Sequence, residues 1–431
     1  MKPFFSFKLP NWIYILLFSG WFLYGCFSWS SDNPIDYYQF WLVGQAVKQM
    51  DVSNVYSLSD ADRIRDEFVN KAGHSRSVRM MRGARFRPDL QLTATPTLYF
   101  VFSLLSTGDY DRDYTVFRIV SLIFFTFFFF LLRWQFRYSW PAVIAFYFLL
   151  TSFFGPFLNE ASVGNVNQIL LGLISLFYFL LQGTRSGARM VLAGFLLGFL
   201  LMFKPVVVMA IFLFFAALLL RNQLKVDRSI LGGFILGIVV SFVAPLIYFH
   251  GKCTWPHWWL EARQLAAVWP LNANFVRSFF NTNSKYCLYG WSLAIFSFIC
   301  VVSFRRALVI YSKKSVGEKD LSYHNEKFFF SLGLVSFVII SPIILVHYLV
   351  LAFPLFMMKF KSVFNPFVPI QKRCVDLICL GTSGVLMATA ETLNTPSYRV
   401  GLGGLAILFF YSLLSDAGEQ ESFTSLQIGR D

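Results

Sequence analysis

Long apolar runs alternate with short polar segments along most of the chain, and their lengths predict helices that cross a membrane. A transmembrane helix needs about 20 predominantly apolar residues, and the sequence offers thirteen candidate runs. They fall at residues 12–29, 95–107, 115–132, 140–158, 164–182, 190–203, 206–220, 229–249, 289–304, 328–346, 347–362, 374–391 and 399–414. The pattern predicts an all-α integral membrane protein, a polytopic bundle of about 11–13 transmembrane helices forming a single domain over residues 1–431.

The composition supports this class. Hydrophobic residues make up 56% of the chain, 53 of its 431 residues are Phe, and the mean hydropathy is +0.58. That is more apolar surface than one soluble core can bury. The formal net charge is +14, but Lys and Arg beside apolar runs usually report topology and contact anionic headgroups. We therefore expect membrane lipids as partners and no nucleic acid.

The positions of Lys and Arg predict the topology. Lys2 and Lys8 precede the first run, which is expected to start in the cytoplasm as an uncleaved helix and to bring residue 31 to the outer face. Residues 31–93 and 250–288 then form the first and second large extracytoplasmic loops, and 415–431 form a cytoplasmic tail. The basic loops predicted in the cytoplasm are 183–189, 221–228, 305–327 and 359–373.

One early run does not fit this topology. Four full crossings between residues 31 and 183 would return the chain to the outer side. The run that does not cross is either 95–107, which is short, or 140–158, which is interrupted by prolines.

The first outer loop begins with a segment whose apolar residues recur at helical intervals. This spacing, over residues 36–50, predicts an amphipathic helix that lies on the membrane. Its apolar face would consist of Tyr37, Phe40, Trp41, Gly44 and Val47.

Later in the same loop, five arginines fall within twelve residues, on the side where positive charge is disfavoured. The run favours either a surface that binds an anion, with Arg82 and Arg85 as candidates for a phosphate, or a solvated loop. Its members are Arg76, Arg79, Arg82, Arg85 and Arg87.

Polar groups at the mouth of a membrane bundle are functional candidates because burying them is unfavourable. Asp36 is one, and its alternative role is to cap the amphipathic helix. The amides Asn165, Asn167 and Gln168 open a long apolar run. They can bind sugar hydroxyls or hold neighbouring helices together.

Lys204 and His347 complete the set of candidates. Lys204 separates two apolar runs and precedes Pro205, and its alternative is a snorkelling lysine. His347 is the one histidine of five that lies inside an uninterrupted apolar segment, and its alternative is an ordinary packing residue. The predicted topology places both on the Asp36 side.

Several other classes of site are excluded. The sequence has no HExxH, no CxxC pair and no second carboxylate near Asp36 at ligand spacing, so we expect no metal and no cofactor. No soluble segment is long enough for a nucleotide-binding Rossmann domain. Cys253 and Cys287 share the second outer loop and form either a disulfide or two free thiols.

Five motifs, taken together and in order, resemble the GT-C superfamily of membrane glycosyltransferases, and glycosyltransferase family 87 within it. This family contains polyprenol-phosphate mannosyl- and arabinosyltransferases. The resemblance spans roughly residues 12–360. The motifs are Asp-Tyr-Tyr-Gln-Phe-Trp from Asp36, Thr-Pro-Thr-Leu-Tyr from Thr95, Gly-Asn-Val-Asn-Gln from Gly164, Phe-Lys-Pro from Phe203 and Ser-Pro-Ile-Ile-Leu-Val-His-Tyr from Ser341.

The resemblance implies a sugar donor linked through phosphate to a polyprenyl lipid and an acceptor on the outer face. It implies that Asp36 is the catalytic base and that Lys204 and His347 contact the donor phosphate or sugar. Asn165, Asn167, Gln168, Arg82 and Arg85 are further candidates for binding the donor. The family's usual Gly-Gln-Val-Asn reads Gly-Asn-Val-Asn here, a shorter amide that affects the expected sugar more than the expected chemistry.

These expectations describe an inverting hexosyl- or pentosyltransferase of the cell envelope, such as a mannosyltransferase, with its active site on the outer face of a bacterial inner membrane. A single carboxylate as base and no opposing nucleophile indicate one displacement. Two other classes, a lipid-linked sugar flippase and a glycan polymerase or ligase, share these substrates. Transporters often contain internal repeats, and none is visible here.

Overall fold

The computed structural model of the protein describes residues 10–28, 34–86, 92–136, 138–182, 186–221, 227–268, 285–312, 324–340, 346–364, 368–390 and 396–415. Within these ranges the regular elements are all helical, as predicted. Two short 3₁₀ helices occupy Pro205–Val207 and Val346–Ala352. The α-helices are α1 (Asn11–Ser28), α2 (Ile35–Gln49), α3 (Leu58–Gly73), α4 (Val78–Phe86), α5 (Pro96–Leu105), α6 (Tyr110–Phe136), α7 (Trp140–Phe153), α8 (Gly155–Val163), α9 (Asn167–Leu180), α10 (Gly187–Phe203), α11 (Val208–Arg221), α12 (Arg228–Tyr248), α13 (Trp255–Val268), α14 (Lys285–Ser312), α15 (His324–Ile340), α16 (Phe353–Phe364), α17 (Ile370–Ala388) and α18 (Pro396–Leu414).

Among the described residues, two helices, α6 and α12, are by themselves long and apolar enough to cross a membrane. The pair α7 and α8 would make a third span if the two are counted together, although the chain bends by 65° between them. Seven further apolar helices have 10–17 residues. The protein is therefore a helical membrane protein, and the number of 11–13 crossings stays a prediction.

The described helices build two hydrophobic cores. The bundle core joins α6 to α11 with α15 to α18. The loop core joins α2 to α5, the first turns of α6 and the segment after α12 that contains Phe249 and Cys253. Helix α5 packs in the loop core beside α2 and also contacts α12, where Thr97 donates a 2.7 Å hydrogen bond to the Ser241 carbonyl. That 95–107 or 140–158 does not cross stays a prediction.

Helix α2 differs from the expectation of a helix lying on the membrane. It forms where predicted, but the side chains from Asp36 to Ala46 are buried all round. The helices α4 and α5 cover its outer side: a Cβ on Gly83 would lie 2.8 Å from Tyr38 Cβ, and one on Gly44 would lie 2.8 Å from Ser103 Oγ. The spacing of apolar residues within α2 predicted one buried face. The other faces are covered by α4 and α5, which the spacing within α2 does not reveal.

Glycines bring α10 and α12 into backbone contact. Gly194 and Gly198 repeat at four-residue spacing on α10, as Gly233 and Gly237 do on α12, and a Cβ at any of the four would clash with backbone atoms of the other helix. Such small-xxx-small pairs allow membrane helices to pack closely. This contact fixes α10, and therefore the position of the residue that follows it, Lys204.

The predicted second outer loop contains two cysteines, Cys253 and Cys287. Cys253 is a buried free thiol that donates a hydrogen bond of 3.5 Å to the Tyr56 hydroxyl, so the disulfide alternative is wrong. Burial raises the pKa of the Cys253 thiol to about 12. The Cys287 side chain lies outside the described residues, as do 269–284 of this loop, 416–431 of the predicted tail, Asp32 and Arg87.

Candidate active site

Asp36 lies in the first turn of α2 and is 8% exposed. Pro34 occupies the capping position, and Asp36 is the second residue of the helix. A carboxylate in a first turn is stabilised by the helix dipole. The capping alternative is therefore wrong, and the carboxylate is directed to another partner, the side-chain amide of Asn165.

A left-handed glycine turn places the two asparagines. Gly164 ends α8 with a φ of 70°, a conformation that glycine adopts without strain. A Cβ at this position would also lie 2.8 Å from Tyr37 Cβ. Asn165 follows the turn directly, and Asn167 opens α9. Both side chains are buried beside the start of α2.

Lys204 is placed by a helix end. The residue before a proline is disfavoured in helical conformation, and Lys204, which precedes Pro205, is extended with φ −149° and ψ 103°. Its ammonium donates hydrogen bonds of 2.6 Å to Asn165 Oδ1 and of 2.6 Å to Asn167 Oδ1. It also lies 4.8 Å from the centre of the Tyr348 ring.

His347 lies in the 3₁₀ helix Val346–Ala352 and is buried. Its Nε2 atom is 3.2 Å from Asn165 Nδ2, and its backbone carbonyl accepts a 3.3 Å hydrogen bond from Asn167 Nδ2. The structure therefore brings Asp36, Asn165, Asn167, Lys204 and His347 into one hydrogen-bonded cluster, which we call the polar network.

Donor and acceptor chemistry fixes the orientation of both amides. An ammonium can only donate and an ionised carboxylate can only accept. The Asn165 oxygen therefore faces Lys204, and its Nδ2 donates over 2.7 Å to Asp36 Oδ2. Since Asn165 Nδ2 is a donor, a hydrogen bond across this contact has His347 Nε2 as its acceptor, which corresponds to the tautomer with its proton on Nδ1.

One member of the network was missed in the sequence. Glu160 of α8 is fully buried. Its Oε1 accepts from the Asn167 backbone N–H over 2.5 Å, and its Oε2 accepts from Asn167 Nδ2 over 2.9 Å. A signal was present, because Glu160 is the one acidic residue between Asp113 and Asp227.

The Thr-Pro-Thr-Leu-Tyr motif supports the network from outside. Thr95 caps α5 and donates a 2.9 Å hydrogen bond to the carbonyl of Phe203, next to Lys204. Tyr99 accepts a 3.2 Å hydrogen bond from Gln39, three residues after Asp36. The motif therefore holds the start of α2 and the end of α10 in fixed relation.

Three predicted site residues lie elsewhere. Gln168 is buried one residue beyond Asn167, and no hydrogen bond in the described part of the chain joins it to the network. Arg82 and Arg85 are exposed on α4, whose buried residues are Met80, Gly83 and Ala84. The structure does not bring these two arginines to the network.

The network places the Lys204 ammonium between two acidic side chains, with the His347 imidazole beside Asn165. Among the described residues, no group of three or more His, Cys, Asp or Glu side chains is arranged to hold a metal. Such a site offers a carboxylate that can accept a proton and an ammonium that can stabilise an anion, in surroundings where charges interact strongly.

The comparisons with known proteins agree with the motifs. Residues 93–318 match glycosyltransferase family 87. This segment includes Glu160, Asn165, Asn167 and Lys204, whereas Asp36 and His347 lie outside it. No curated protein and no solved structure matches the chain. Because the match covers more than half of the 431 residues and the resemblance in the motifs agrees with it, the chain belongs to glycosyltransferase family 87.

Proposed function

We propose that this glycosyltransferase moves a sugar from a polyprenyl-phosphate donor to a lipid or glycan acceptor, with inversion at the anomeric carbon and with Asp36 as the base. One observation supports the proposal most. Four segments far apart in the chain contribute Asp36, Asn165, Lys204 and His347 to one buried hydrogen-bonded network.

Asp36 suits the role of base. An acceptor hydroxyl is a poor nucleophile at neutral pH, and a positioned carboxylate that removes its proton accelerates transfer by about 10²–10⁴-fold. The Asn165 amide, which donates to Asp36 Oδ2, fixes one side of the carboxylate.

Lys204 and His347 suit the leaving phosphate. As the bond to the anomeric carbon breaks, negative charge grows on the phosphate, and fixed cations in a low-dielectric site stabilise it. The Lys204 ammonium now binds two amide oxygens and would exchange one of them for a phosphate oxygen. His347 becomes a donor at both ring nitrogens once it is protonated.

The two carboxylates of the network favour a single displacement. A retaining mechanism needs a second carboxylate that reaches the sugar as a nucleophile. Glu160 is fully buried, and both of its oxygens accept hydrogen bonds from Asn167. This leaves Asp36 as the carboxylate that can act on a substrate.

The sugar and the location follow from the same proposal. Asn165 and Asn167 would bind hydroxyls of the donor sugar, a mannose or another hexose or pentose. The exposed Arg82 and Arg85 would hold anionic groups near the membrane surface, where each such charge contributes about 1 kcal/mol. We place the reaction on the outer face of a bacterial inner membrane, because the basic loops are predicted on the opposite side.

The deciding experiment uses purified protein in liposomes. Labelled polyprenyl-phosphate mannose, arabinose and glucose are offered with candidate lipid acceptors, and products are separated by chromatography. Addition of one sugar unit supports the proposal. Movement of the donor across the bilayer without transfer would identify a flippase, and long products would identify a polymerase.

A further inference from the structure

Glu160 is buried in a way that requires an explanation. A charged carboxylate buried in protein is strongly unfavourable unless partners satisfy it. Here both oxygens accept hydrogen bonds, and both donors belong to a single residue, Asn167. The carboxylate therefore fixes Asn167 at two points, one on the backbone and one on the side chain.

The side-chain bond controls which way the Asn167 amide faces. With Nδ2 held against Glu160 Oε2, the amide oxygen must face the other way, where it accepts from the Lys204 ammonium over 2.6 Å. A reversed amide would place an N–H₂ group against the ammonium and an oxygen against the carboxylate. Glu160, together with the His347 carbonyl that also accepts from Asn167 Nδ2, therefore sets which atom of Asn167 faces Lys204.

The network has the same order on either side of Lys204. The ammonium binds one oxygen from Asn165 and one from Asn167. The first amide continues to Asp36 and the second to Glu160. Each carboxylate is thus linked to the cation through one asparagine, and Glu160, at 0% exposure, is more deeply buried than Asp36, at 8%.

We propose that Glu160 is a positioning residue for the transfer reaction: through Asn167 it holds the Lys204 ammonium where the leaving phosphate of the donor gains charge. This inference rests on the proposed function. It assigns to Glu160 no contact with either substrate.

Glu160 also has a purely structural role, which the test must separate from this one. Its Oε1 accepts the backbone N–H of the first residue of α9, and such an N–H at a helix start has no partner within the helix. A capping carboxylate contributes to folding alone. The second bond, from Oε2 to the Asn167 side chain, adds nothing to capping and acts on Lys204.

The test compares Glu160→Gln with Asn167→Ala and with the double variant. Gln keeps the size of Glu but replaces one acceptor by a donor. A buried donor that loses its acceptor is unfavourable, so we expect kcat/KM for the polyprenyl-phosphate donor and the affinity for farnesyl phosphate, a short soluble probe, to fall about tenfold or more. The acceptor KM should stay unchanged. Because Glu160 acts through Asn167, the double variant should have the same kcat/KM for the donor as Asn167→Ala alone.

Two variants serve as controls. Asp376→Asn makes the same chemical change at another buried carboxylate, which accepts a hydrogen bond from Tyr411 in α18, and it should leave donor binding unchanged. Glu160→Asp keeps the carboxyl group on a shorter side chain, and its kcat/KM for the donor should lie between those of the wild type and Glu160→Gln. If Glu160→Gln does not fold, Glu160→Asp takes its place in the comparison with Asn167→Ala, and thermal unfolding checks that the variant is folded.

Two results would overturn the inference. In one, Glu160→Gln lowers the melting temperature but leaves the donor constants as in the wild type. In the other, the fold losses in kcat/KM caused by Glu160→Gln and by Asn167→Ala multiply in the double variant. Failure of the proposed function looks different, because the wild type itself would then neither transfer a sugar nor bind farnesyl phosphate.

Discussion

The Lys204 ammonium donates a 2.6 Å hydrogen bond to the side-chain oxygen of Asn165, across 39 positions of sequence. Since Asn165 also donates to Asp36, one amide links the proposed base to the proposed phosphate-binding cation. Base and cation are thus held by a shared partner.

The first prediction concerns Asp36. Asp36→Asn preserves the shape of the side chain and removes its capacity to accept a proton, so transfer should fall by about 10²–10⁴-fold. Donor binding, measured with farnesyl phosphate, and the melting temperature should change little. Asp66→Asn, at an exposed aspartate of α3, is the matched control. Turnover within a few-fold of the wild type in Asp36→Asn would exclude Asp36 as the base.

The second prediction concerns Lys204. Lys204→Gln removes the cation, and the charge-assisted hydrogen bonds it offers to phosphate are about twice as strong as neutral ones. We expect the KM for the donor to rise about tenfold or more and the KM for the acceptor to stay within a few-fold. Initial rates at varied donor concentration provide the measurement, with Lys71→Gln at an exposed lysine of α3 as the control. Equal changes in both constants would assign Lys204 a structural role.

Much of the site could be predicted from the sequence, because a polar side chain is conspicuous in an apolar chain. Asp36, Asn165, Asn167, Lys204 and His347 each interrupt or border an apolar run. The resemblance to family 87, which the comparison confirms over residues 93–318, placed them in one order. The structure then brought all five together.

The remaining features depend on tertiary contacts. Glu160 follows the predicted run 140–158, and only the fold shows that the turn at Gly164 returns Asn167 to its carboxylate. The burial of α2 escaped prediction for the same reason, since its cover comes from α4 and α5. Arg82 and Arg85 were predicted as phosphate-binding candidates from the density of positive charge, but the structure places them on the exposed side of α4. Charge density alone does not indicate which side of a helix a residue occupies.

The third prediction uses two adjacent glycines of α12. A Cβ at Gly233 would overlap the Val191 carbonyl, whereas a Cβ at Gly232 would meet nothing within 4 Å. Gly233→Ala should lower the free energy of unfolding by about 1–3 kcal/mol, since overpacking forces the backbone to shift. Gly232→Ala should be neutral or stabilise by up to about 1 kcal/mol, because alanine favours the helix. Thermal unfolding of the two variants in one detergent measures the difference, and equal melting temperatures would contradict the close contact of α10 and α12.

The fourth prediction concerns the side of the membrane on which the turn after α5 lies. If α5 stays in the loop core with α2 to α4 and does not cross, the exposed turn that follows it lies on the same side as the exposed end of α3. We expect a membrane-impermeant maleimide to label Asp109→Cys and His74→Cys on intact cells, in a background where the six native cysteines are replaced. Arg228→Cys, at an exposed position in a loop predicted to be cytoplasmic, should be labelled only after the cells are permeabilised.

The outcome at Asp109 decides between the two early runs. If Asp109→Cys is labelled on intact cells, α5 does not cross, and the run 140–158 crosses as a helix that bends by 65°. The four basic loops then all lie in the cytoplasm, as predicted. Labelling of Asp109→Cys only after permeabilisation would mean that α5 crosses the bilayer. In that case α2, which packs along α5, would itself have to lie at membrane depth, and Asp36 would face a cavity within the membrane instead of its outer surface.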